Sequence, residues 1–124
     1  MAVDEGLVAW AQEALEPLGV VTMRRMMGAA TLYIDGTIFA VVDEEQIWFK
    51  SDAESDAAWN AEGCERFVFT SRDGRTETMN YRRAPLDVYD DPEAMQRWAQ
   101  LALGAGLRSA AKKKPRKKAS PAPR

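Results

Sequence analysis

Histidine is absent from the sequence, and cysteine occurs once, at Cys64. The first absence removes the commonest general base near neutral pH and the commonest zinc ligand. The second removes any internal disulfide and any thiolate metal cluster, and it points to a reducing compartment. Long apolar runs are missing too. Nothing approaches the roughly 18 consecutive apolar residues that a membrane span requires. The first ten residues carry Asp4 and Glu5 and do not read as a secretion signal. A cytoplasmic protein is expected, with no membrane partner. No glycine-rich phosphate loop occurs, because Gly104-Ala105-Gly106 lacks the lysine and the preceding strand. The expectation is a protein that is not an enzyme, with no cofactor and no metal.

Acidic residues are missing from the C-terminal end. All 19 acids lie at or before Glu93, and nine of the 17 basic residues lie at or before Arg97. Nine cations against 19 acids leave residues 1–107 at −10. The other eight cations fall between Arg108 and Arg124. Like charges in a block repel one another, and the prolines and alanines among them offer no core. Two regions are therefore expected: a folded domain over 1–107 and a disordered basic tail over 108–124.

What remains is enough for one domain. The 124 residues are 46% hydrophobic and include four Trp, four Phe and six Met. Leu7, Ala11, Ala14, Leu15 and Leu18 recur at helical spacing, which predicts a helix over 4–18. Pro17 and Gly19 would end it. Strands are predicted at 29–34, 37–42 and 47–50, the first two joined by Asp35-Gly36, a strong hairpin signal. The segment Ile38–Val42 is apolar without alternation, so this strand should be central, with something covering its second face. Ser51 and Glu54 have capping-box spacing, which predicts a helix over 53–62 anchored by Trp59. Strands at 66–71 and 76–82 follow, joined by Asp73-Gly74. Phe67 and Phe69 share one face of the first arm and Met79 and Tyr81 one face of the second, and these are expected to pair across the strands in the core. Asp91-Pro92 opens a last helix whose buried stripe is Met95, Trp98, Ala99 and Ala102, with Gly104 and Gly106 weakening it. The fold class is α+β, a two-layer α/β sandwich of order α-β-β-β-α-β-β-α with a five-stranded antiparallel sheet.

Arg24-Arg25-Met26-Met27-Gly28, then Leu32-Tyr33-x-Asp35-Gly36-x-x-Phe39-Ala40, resembles the TfoX (Sxy) N-terminal domain family. The likeness continues through Gly63-Cys64-Glu65, Met79-x-Tyr81, Pro85 and the final Asp91-Pro92-Glu93…Trp98…Ala102-Leu103. It covers residues 20 to 105. The resemblance implies a secretion-chaperone-like architecture, a homodimer, and a role as a transcriptional coactivator of competence genes. The founding regulators carry a further domain where this sequence has the basic segment.

Three sets of residues could bind something. Arg24 and Arg25 could grip a phosphate or a partner's carboxylates, or simply pair with the acidic body. Arg82 and Arg83 read as structural. Lys112, Lys113, Lys114, Arg116, Lys117 and Lys118 could neutralise nucleic-acid phosphates without reading sequence, or only solvate the chain. Cys64 reads as a small packed apolar residue. Met23, Met26 and Met27 read as gap fillers. The leading expectation is a regulatory module with a protein partner, helped onto nucleic acid by the tail. The alternative is a small chaperone or adaptor that binds protein but not DNA.

Overall fold

Asp35 and Gly36 both adopt positive φ, 49° and 88°. That is the two-residue turn whose twist matches the strands on either side of it. The strands it joins sit within a six-stranded sheet. The computed structural model describes the backbone of residues 5–26, 29–43 and 46–119, and the side chains there except at 26, 69, 77, 78 and 113–119. The elements are α1 (Glu5–Ala14), a 3-10 turn (Glu16–Leu18), β1 (Val21–Met26), β2 (Ala29–Ile34), β3 (Thr37–Val42) and β4 (Ile47–Lys50). After these come α2 (Asp56–Ala61), β5 (Arg66–Thr70), β6 (Thr76–Arg83), a 3-10 turn (Leu86–Tyr89) and α3 (Pro92–Ala119). The sheet order is β1-β2-β3-β4-β6-β5, and every neighbouring pair is antiparallel.

The α+β class and the antiparallel sheet agree with the sequence reading, but the count of five strands does not. The missed strand is β1, which pairs along its whole length with β2, from Val21 opposite Ile34 to Met26 opposite Ala29. Two adjacent arginines hide it in the sequence. Only Val21 and Met23 mark its inner face. The first helix also ends earlier than expected, at Ala14, and Pro17 lies in the separate 3-10 turn.

The second helix begins at Asp56 instead of Ala53, its N-cap Ser55 makes no side-chain cap hydrogen bond, and the reciprocal pair lies in the turn before it, one residue on from the expected one. Ser55 N donates to Asp52 Oδ1 (3.1 Å), and Asp52 N donates to Ser55 Oγ (3.1 Å). The two bonds close the turn at 52–55 that leads into the helix. Ser51 is buried instead, at 1% exposure.

The core lies between one face of the sheet and the helices. α3 packs over β3 and β4, and α1 packs against α3 and β1. Leu32, Ala40, Phe49 and Trp59 are 0% exposed. Trp59 stacks on Phe49 with centroids 5.7 Å apart and meets Trp98 at 5.0 Å. The uninterrupted apolar run of β3 has a local cause. The register passes from Leu32 opposite Ala40 to Tyr33 opposite Ile38, leaving Phe39 as an extra residue. This bulge turns Phe39 into the same core as Ala40, where it meets Phe49 at 6.5 Å. β3 is central, as expected.

The last helix is capped as predicted: Glu93 N donates to Asp91 Oδ1 at 3.0 Å. Met95, Trp98, Ala99 and Ala102 are all buried. The helix continues through both glycines to Ala119. Gly106 has a packing reason, because a Cβ there would lie 2.1 Å from the Ile38 carbonyl oxygen. The helix rides that close to β3 only because the side chain is missing. Among the described residues, no helix is long and apolar enough to cross a membrane.

Candidate functional site

Adjacent residues of a strand point to opposite faces, and this separates Arg24 from Arg25. Arg25 stands opposite Ala30 on the helix side and forms an ion pair with Glu5 of α1. Arg24 stands opposite Thr31 on the other side of the sheet and is exposed. The two guanidinium groups do not form a clamp.

Arg82 and Arg83 are divided in the same way. Arg82 is 3% exposed and ties β6 to α2. Its Nη1 donates to Asn60 Oδ1 and to the Cys64 carbonyl, both at 2.9 Å, and its Nη2 donates to Asp56 Oδ1 at 2.9 Å. Arg66 holds the other oxygen of Asp56 at 3.2 Å. Arg83 faces the opposite side and pairs with Glu65. Cys64 is buried, and that burial pushes its thiol up, which keeps it protonated at neutral pH. It packs beneath a hollow of about 340 Å³ whose rim includes Glu62, Glu65, Arg83 and the exposed Leu86.

The basic segment begins inside α3. Arg108, assigned to the tail by composition, belongs to the domain: its Nε donates to Asp52 Oδ2 (2.6 Å), its Nη2 to Asp52 Oδ1 (3.0 Å), and Glu54 lies 2.9 Å away. Lys112 is exposed. The side chains of Lys113, Lys114, Arg116, Lys117 and Lys118 lie outside the described residues, as do those of Met26 and Met27.

The sheet face away from the helices is the feature that sequence reasoning missed. Phe67 does pair with Met79, but on this face and not in the core; Met79 is 42% exposed. The side chain of Phe69 is outside the described set. Tyr33, Trp48, Phe67 and Tyr81 are all half-buried here. Trp48 meets Phe67 edge-on at 4.9 Å, and its Nε1 donates to Asp43 Oδ2 at 3.1 Å. Lys50 Nζ sits 5.1 Å above the Tyr81 ring. Burial raises the Tyr81 phenol, so it stays a neutral donor. Between these side chains runs an apolar groove of about 240 Å³, floored by Ala29 and Val41. The signal was present as alternation: Trp48 and Lys50 on one side of β4, Tyr81 and Arg83 on one side of β6. It became readable only once the pairing register said which side was open.

Residues 7–106 match the family model described as the TfoX N-terminal domain. The chain is also 26% identical over 97 residues to Protein Sxy of Escherichia coli (strain K12), a match covering 78% of this chain and 46% of that protein. The chain thus spans about half the length of the curated relative.

Proposed function

Because the chain belongs to the TfoX N-terminal domain family, we propose that it is a non-enzymatic regulatory binding protein of the competence-regulator kind. In this reading the domain engages a protein partner, and the basic segment adds sequence-independent nucleic-acid contact. The family match carries the proposal, since it runs from α1 to the part of α3 that packs on β3. The cations at 112–118 lie a few residues beyond its end, so the segment adds charge to a domain that is itself acidic.

Each cation set against a phosphate releases a counterion, and about six or seven such contacts give a slope of log K against log salt of roughly −5 to −6. The test is anisotropy with duplex DNA at several salt concentrations. It compares the chain with a variant carrying Gln at Lys112, Lys113, Lys114, Arg116, Lys117 and Lys118. That variant keeps Arg108, whose pair with Asp52 belongs to the domain. The expected result is steep salt dependence in the chain and weak, shallow binding in the variant. Equal binding by both would remove the nucleic-acid part. Transcript profiles that do not change when the protein is removed from its cell would remove the regulatory part.

A further inference from the structure

We propose that the open sheet face is a stacking platform for single-stranded nucleic acid. The helices lie on one side of the antiparallel sheet. On the other side, β2, β4, β6 and β5 present Tyr33, Trp48, Tyr81 and Phe67, each half-buried. Aromatic rings exposed to that degree on a sheet offer flat apolar surfaces. Unpaired bases stack on such surfaces with little regard to their identity. The groove of about 240 Å³ bounded by Trp48, Phe67 and Tyr81 leaves room for a planar ring.

The local charge is compatible with the same ligand. Residues 1–107 carry −10, yet this face gathers Arg24, Lys50 and Arg83. The acids beside them are Asp43, Glu65, which pairs with Arg83, and Glu77 at the β6 register position opposite Phe69, so this face is close to neutral on a domain that is acidic. Both Asp43 oxygens accept hydrogen bonds from the protein itself, from Gln46 N at 2.9 Å and Trp48 Nε1 at 3.1 Å. Cations flanking aromatic rings suit a strand whose phosphates run beside its bases. A second copy of the chain fits less well. A two-fold interface would have to bury Arg24 and Lys50 of both copies, whereas the phosphates of a strand offer them counter-charges. A duplex fits less well too, because its bases are already stacked and their faces cannot reach a sheet.

This inference does not rest on the basic segment. That segment would neutralise the phosphates of any strand form, whereas the face would take bases. The test uses the full chain and three labelled ligands: an oligothymidylate of about twelve nucleotides, an abasic strand of the same length, and a duplex. Anisotropy should show the oligothymidylate bound at least about 10-fold more tightly than the abasic strand. Trp48→Leu and Tyr81→Leu should each weaken oligothymidylate binding by roughly 5- to 100-fold, the range expected for one stacked base, and leave duplex binding unchanged. The six-glutamine variant should lose affinity for every ligand while keeping its preference for bases over abasic sites. Equal affinity for the oligothymidylate and the abasic strand would overturn the proposal, and this comparison needs no variant. It would also fall if folded Trp48→Leu and Tyr81→Leu proteins bound single strands normally. A dimer in light scattering that Trp48→Leu dissociates would assign the face to a second copy instead.

Discussion

Both faces of this sheet carry aromatic rings, and they differ in what covers them. On the helix side Phe39, Phe49, Trp59 and Trp98 are at most 9% exposed and touch one another in a chain of rings. On the other side Tyr33, Trp48, Phe67 and Tyr81 are half-buried and flanked by cations. Aromatic content therefore says little about where a core lies. Strand parity and the docking of α3 decide which ring anchors the fold and which remains available to a ligand. The largest expected effect tests this directly. Trp59→Ala should cost about 3–5 kcal/mol, as other large-to-small core changes do. Trp48→Ala should cost about 1–2 kcal/mol, because its ring is only partly buried. Urea unfolding of both variants makes the comparison. Equal losses would mean that the open face is as much core as the covered one.

The adjacent arginines of β6 repeat the contrast at the level of charge. Arg82 is buried and makes three hydrogen bonds at 2.9 Å, to Asn60, Cys64 and Asp56. Removing it leaves the buried Cys64 carbonyl without its donor, while Asp56, 28% exposed, keeps Arg66, so the loss should be about 1.5–3 kcal/mol. Arg83 pairs with Glu65 where both side chains are well exposed, at 41% and 68%. Its loss should cost about 1 kcal/mol or less. We expect Arg82→Ala to destabilise far more than Arg83→Ala by thermal melt. Matching shifts would show that α2 does not depend on the Arg82 contacts.

Much of the fold was legible because it is written locally. Asp35-Gly36 fixes a turn by positive φ, Asp91-Pro92 caps α3, and the stripe from Met95 to Ala102 repeats at helical spacing. What escaped is what only a distant partner defines. β1 is a strand because β2 pairs with it; its own residues, with two arginines side by side, show almost no alternation. The Arg24-Arg25 pair read as one candidate site for the same reason. Charge is visible in a sequence, but the strand parity that sends the two residues to opposite faces is not, until the strand itself is known. The open face was hidden by ambiguity of a different kind. With apolar residues on both sides of β3 and an aromatic at Trp48 next to Phe49, nothing local says which side the helices will choose.

Gly106 sharpens the point about distant partners. In isolation it is a helix-weakening residue, and Gly→Ala should help by up to about 1 kcal/mol. Gly104 should behave that way, since an added Cβ meets nothing closer than Arg108 Nη1 at 3.4 Å. At Gly106 the same Cβ would fall 2.1 Å from the Ile38 carbonyl oxygen and 3.1 Å from Thr37 Cγ2. α3 must then lift from β3, at a cost of about 1–3 kcal/mol. Gly104→Ala and Gly106→Ala should therefore shift the melting temperature in opposite directions. A shared direction would mean that the helix does not press on β3 there.

The smallest expected effect concerns where the domain ends and the basic segment begins. Composition divides the chain at residue 108, but Arg108 reaches back to Asp52 and Glu54, at the turn that leads into α2. The hydrogen bonds from Arg108 hold the Asp52 carboxyl at about 2, below its ordinary 3.8; those from Ser55 act in the same direction. A carboxylate held low in the folded state adds stability that is fully present above its unfolded value. That stability disappears as the pH falls through the folded one. The contribution should therefore hold above about pH 4 and fade between about pH 4 and pH 2. Both partners are partly exposed, so solvent limits the pair to about 0.5–1 kcal/mol, or a shift of roughly 2–6 °C in Tm. Arg108→Gln should lower Tm by that amount at pH 7, and the gap between variant and parent should narrow as pH approaches 2. A gap that stayed constant across this range would mean that Arg108 acts through packing and not through Asp52. The charge boundary at 108 would then mark the edge of the domain's electrostatics, with Lys112 the next cation along the helix.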